Sequence, residues 1–83
     1  MGKSNQWKID LKTLSDDDLV DDKIACQLIG GSTSPIHRST LWRGINAGRY
    51  PKAIKVAPGT NRWRVGELRR AIDQFAAERE SEA

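Results

Sequence analysis

The chain is poor in cross-linking and metal-binding side chains. One cysteine, Cys26, stands in 83 residues, so no internal disulfide and no multi-cysteine metal site can form. There is one histidine, His37, so neither a metal-ligand set nor a catalytic triad can be argued. No apolar run approaches the roughly 18 residues of a membrane span. The polar start around Trp7 does not have the pattern of a secretory signal, and Gln6 occupies the Ser/Thr place of a myristoylation motif. These shortages point away from an enzyme, a cofactor, a metal or a membrane. They favour a cytoplasmic, reducing setting, where Cys26 is expected to be a small buried hydrophobe. A chain this short makes one domain and buries only about 60% of its unfolded surface.

Acidic residues are scarce in the middle of the chain. Residues 37–70 carry nine Lys/Arg against Glu67 alone, a net +8. Residues 1–36 net −2 and residues 71–83 net −3, giving +3 in all. A basic middle between acidic ends fits an anionic partner, of which nucleic acid is the commonest.

Residues 1–18 read as a polar lead-in, expected to be a flexible arm with a solvated Asp16-Asp17-Asp18 run. Trp7, Ile9 and Leu11 alternate with Lys8 and Asp10, too short a pattern to define a strand. The folded domain is expected over 19–80, with 81–83 frayed. Asp21 is a good N-cap, and Ile24, Ala25, Leu28 and Ile29 form one apolar face of a helix over about 22–29. Gly30-Gly31 end it, and GGSTSPI is a loop. A second helix is expected from Arg38 to about Ala47, closed by a left-handed Gly48. Pro58-Gly59 then suits a type II turn between strands near 52–56 and 62–65. In that hairpin Ile54 and Val56 are expected to share one face and Trp63 and Val65 another. Joining those faces would leave Lys55, Arg62 and Arg64 outside. Leu68, Ala71, Ile72, Phe75 and Ala76 mark a last helix over about 67–80, with Gly66 as its N-cap. The expected fold is mainly α with a small β-hairpin, in the order helix, helix, hairpin, helix of a winged helix-turn-helix.

A helical wheel orients the second helix. With Leu41 at 0°, successive residues advance about 100°. Leu41, Gly44 and Ile45 make a narrow apolar face, with Gly44 allowing another element close. Ser39, Arg43 and Asn46 fall opposite, residue types that bond phosphates or base edges. Trp42 lies on the flank, and two placements are open to its ring: on DNA, or folded back under the hairpin. His37 is either an N-cap and phosphate donor or an exposed bystander. The helix start, with Arg38, Ser39 and Thr40, is suited to a phosphate. A helix of this length suits a major groove, and the basic hairpin has the shape of a wing.

The stretch HRSTLWRGINAGRYPKAIKVAPGTNRWRVGELRRAI resembles the AlpA-like phage regulators and excisionases. Arg38-Ser39-Thr40, Leu41-Trp42-Arg43, Gly48-Arg49-Tyr50-Pro51 and Arg62-Trp63 fall on that family's pattern in order. Upstream, VDDKIACQLIGG looks like its first helix, so the resemblance spans about 19–78. It implies a small winged helix-turn-helix related to the MerR-type DNA-binding fold. By position it implies recognition-helix contacts from Arg38, Ser39, Thr40, Trp42 and Arg43, and wing contacts from Arg62 and Arg64. His37 and Asn46 on the helix, and Lys55 and Asn61 on the wing, complete the candidate set. GGSTSPI is longer than many members' turn, Trp42 replaces the usual Tyr, and Ala53 stands where Pro is common.

The expected partner is double-stranded DNA, with an integrase or recombinase alongside in an excisionase role. No spare apolar face suggests an obligate dimer, so monomers assembling on DNA are expected. The alternative is a protein-interaction module whose basic face binds an acidic partner, such as a recombinase or regulator, without reading DNA.

Overall fold

In the computed structural model, residues 11–82 are described, so the placement of Trp7 lies outside the described residues. A short 3-10 helix, Leu11–Thr13, leads into strand β1, Leu19–Val20. Helices α1, Asp22–Gly30, and α2, Arg38–Asn46, follow. Strands β2, Ile54–Ala57, and β3, Thr60–Arg64, form the hairpin, and β3 runs directly into helix α3, Val65–Glu82. The fold is therefore mixed: three helices with a three-stranded antiparallel sheet in the order β1-β3-β2. The third strand, at the very start of the expected domain, corrects the expectation of a hairpin alone. Two residues carry too little periodicity to announce a strand.

Asp21 caps α1, its Oδ1 accepting the Ile24 N–H at 3.0 Å. Gly30 continues the helix, and Gly31 leaves it at φ +110°. The α2 end is a Schellman turn. Gly48, at φ +80°, donates to Ile45 O at 3.1 Å, and Arg49 donates to Gly44 O at 2.8 Å. This returns the chain at once towards α2, and Gly44 makes room for it. A Cβ on Gly44 would stand 2.2 Å from Tyr50 Cε2. Tyr50 then meets Phe75 of α3 edge-on, with centroids 5.8 Å apart.

Pro58-Gly59 form the hairpin turn, with Gly59 at φ +73° as a type II turn demands. The register corrects the expected hairpin faces. Ile54 pairs with Arg62, Lys55 with Asn61, and an irregularity at Val56 leaves Ala57 opposite Thr60. Directly paired residues share a face, and a one-residue shift exchanges the faces. Ile54 therefore lies on the Arg62 and Arg64 side, and Lys55 pairs across to Asn61 on the other. Val56 is exposed at the irregularity. Ala53, not Ile54, is the hairpin-side residue that packs against the core. Val65 is not a strand residue; it opens α3, fully buried.

On the other edge Val20 pairs with buried Trp63, and exposed Leu19 pairs with Arg64. The core gathers Val20, Ala25, Cys26, Leu41, Ile45, Trp63, Val65 and Leu68. Each large member contributes about 1.5–3 kcal/mol by leaving water. The indole Nε1–H of Trp63 is satisfied by Pro51 O at 3.2 Å.

The described part of the lead-in is docked rather than loose. Asp18 O and Asp16 O accept the first two N–H groups of α3, from Val65 and Gly66, each at 2.9 Å. Arg69 of α3 reaches back to Asp16 Oδ1 at 2.8 Å and to Leu11 O at 3.1 Å. Asp18 Oδ2 accepts the Ser15 N–H, so this acidic run is more than a solvated patch. Gly66 is not the N-cap: α3 starts one residue before it, and its missing Cβ lets Asp16 sit close. A Cβ there would stand 2.9 Å from Asp16 Cβ. α3 also continues into the expected frayed end, through Ala77, Glu78, Arg79 and Glu80, mostly good helix formers.

Candidate nucleic-acid interface

Helix α2 is held by Leu41, Gly44 and Ile45, all buried, as the wheel predicts. Its opposite side, with Ser39, Thr40, Arg43 and Asn46, is exposed. His37 is the N-cap. Its Nδ1 accepts the Ser39 N–H at 3.2 Å and lies 2.9 Å from Ser39 Oγ. In the neutral tautomer whose Nδ1 accepts, the ring proton sits on Nε2.

Trp42 is half-buried. Its ring meets Trp63 edge-on, with centroids 5.5 Å apart and an interplanar angle of 64°. Of the two open placements, the chain alone takes the folded one, between α2 and the hairpin. There it forms part of the wall of a cleft of about 270 Å³ that also exposes Arg38, Asn61 and Arg62. This cleft joins the start of α2 to the tip of the hairpin.

Arg38, on the first turn of α2, is paired with Asp22 on the first turn of α1, Nε to Oδ2 at 2.6 Å. The arginine side chain is 72% exposed and the aspartate 29%. A pair this open contributes little to stability. Asp22 was legible in the sequence only as an acid favouring a helix start; nothing in the linear order joins it to Arg38 across the GGSTSPI loop.

The hairpin divides the remaining candidates. Asn61 and Lys55 stand opposite one another, Asn61 lining the cleft beside Trp42. Arg64 belongs to the other face, while Arg62, paired with Ile54 on that face, folds back to donate to Asn61 O at 2.8 Å and reaches the rim of the cleft. The basic middle is thus partly used internally. Arg38 pairs with Asp22, Arg69 with Asp16, and Arg49 lies over the Phe75 ring at 5.1 Å. Arg43, Lys52, Lys55, Arg64 and Arg70 have no acidic partner among the described residues. α2 and the hairpin therefore present cations not neutralised within the described residues.

Among the described residues no three His, Cys, Asp or Glu side chains gather as a metal site, and no helix is long and apolar enough to cross a membrane. Comparison of the chain with protein-family models, with curated proteins and with solved structures finds no match.

Proposed function

We propose that this protein binds double-stranded DNA as a winged helix-turn-helix, with α2 in the major groove and the β2–β3 hairpin as the wing. The observation that carries the reading is the outer side of α2. Ser39, Thr40, Arg43 and Asn46 are exposed on it, and Arg43 has no acidic partner among the described residues. Side chains of these types, on a helix anchored by its opposite face, bond phosphates and base edges. His37 Nε2 adds a donor at the helix start, and Lys55, Asn61, Arg62 and Arg64 supply a wing that can straddle a phosphate backbone.

The resemblance to AlpA-like phage regulators and excisionases supports a narrower role. The protein would act at a mobile element, as an excisionase that directs a recombinase, as a transcription regulator, or as both. Both roles use the same DNA-binding surface.

Selection of bound sites from random duplexes, repeated with Arg43→Ala, tests the reading. A defined site should emerge, and Arg43→Ala should weaken it by about 1–3 kcal/mol if Arg43 reads a guanine. A protein-interaction module would select no site, and Arg43→Ala would leave duplex binding unchanged. Direct repeats among the selected sites would favour side-by-side assembly and the excisionase role.

A further inference from the structure

Arg38 and Asp22 each open a helix, and their contact is one-sided. The closest approach of Asp22 Oδ2 to the guanidinium is at Nε, 2.6 Å away. The two Nη groups at the far end of the guanidinium make no hydrogen bond within the described residues. Those groups form the fork that grips two acceptors at once. Asp22 is the more buried partner and sits on a helix turn already fixed by the Asp21 cap. A pair this open is worth at most about 1 kcal/mol, so it biases the rotamers of Arg38 without locking them.

We infer that Asp22 is a positioning residue that aims the Arg38 fork at one guanine, and so sets specificity at the N-terminal end of α2. The inference rests on the proposed DNA-binding role of α2. A guanidinium whose Nε side lies nearest Asp22 leaves its Nη fork for the O6 and N7 acceptors that guanine shows in the major groove. Asp22 also has an opposing effect. Its negative charge lies beside the surface that would approach phosphates, where it weakens attachment to any duplex. Asp22 therefore raises discrimination while lowering indiscriminate affinity, and the two effects have opposite signs. If Arg38 gripped a phosphate instead, neutralising Asp22 would strengthen binding to every sequence and leave base preference unchanged.

The test compares the full chain with Asp22→Asn and Arg38→Ala. Sites are selected from random duplexes, and affinities are measured for the preferred duplex and for one of scrambled sequence. Thermal melts verify that both variants fold; Asp21 still caps α1 in Asp22→Asn. The wild type should show a guanine preference that Arg38→Ala abolishes. Asp22→Asn should lower that preference by about two- to fivefold, with scrambled-duplex affinity unchanged or higher. Undiminished preference in Asp22→Asn would overturn the inference, as would a parallel loss of affinity for both duplexes. A wild type that binds no duplex would remove the DNA-binding reading as well, so the two failures are distinguishable.

Discussion

The edge of Trp42 rests against Trp63, centroids 5.5 Å apart, and this contact ties helix α2 to the hairpin that follows it. Trp63 is fully buried and Trp42 half-buried, so the pair forms a wall between the two proposed DNA-contacting elements. Trp42→Ala should destabilise the fold by about 1–3 kcal/mol, below the cost of truncating a fully buried aromatic. Trp42→Phe should recover a good part of that. Urea unfolding measures both. A Trp42→Ala protein with unchanged stability would mean that the ring is free for other contacts.

Gly44 should not tolerate a methyl group. The Cβ of Gly44→Ala would overlap the Tyr50 ring, which is pinned against Phe75. Overpacking of this kind costs about 1–3 kcal/mol. Tyr50→Ala in the same chain should cost less than the sum of the two single changes, because the overlap is then gone. Gly48→Ala meets no atoms and loses only its left-handed freedom, a penalty of about 1 kcal/mol. Thermal or urea melts rank the three.

The docking of residues 11–18 on α3 should be measurable. Gly66→Ala forces Asp16 outward and weakens the two N–H bonds that open α3. It should lower stability by about 1–2 kcal/mol, the scale of a lost helix cap. A double-mutant cycle on Asp16 and Arg69 should give a coupling below about 1 kcal/mol that fades with salt, because the pair is largely exposed.

Cys26 should be inert while the protein is folded. Burial pushes its thiol above the ordinary cysteine range, Asp22 adds to the shift, and Arg38 opposes it. The folded state therefore favours the neutral thiol. The associated stability is complete below the unfolded thiol's pKa and declines as pH rises through the higher folded value. Iodoacetamide at mildly alkaline pH should label Cys26 far more slowly in the native protein than in urea. Equal rates would contradict its burial.

Much of this architecture is legible in the linear order, and the exceptions have physical causes. The apolar spacings of α1, α2 and α3 mark helices because a 3.6-residue period needs only the chain itself. Asp21 and Gly48 mark helix ends for the same local reason, as does Gly59 for the turn. The exposure of Ser39, Arg43 and Asn46 follows from the wheel. Contacts between distant segments do not. β1 becomes a strand only by pairing with β3, and Asp16 meets Arg69 across 53 residues. The hairpin faces depended on register, which is set by the irregularity at Val56 and not by local alternation. The Arg38 partner is likewise a matter of how α1 and α2 are set against each other.

The most direct measurement is the affinity of the full chain for a mixed-sequence duplex across a series of salt concentrations. Clear binding is expected at low salt. The logarithm of the binding constant should fall linearly with the logarithm of salt, with a slope corresponding to about four to seven neutralised phosphates. No duplex binding at low salt, or binding indifferent to salt, would contradict the proposed function.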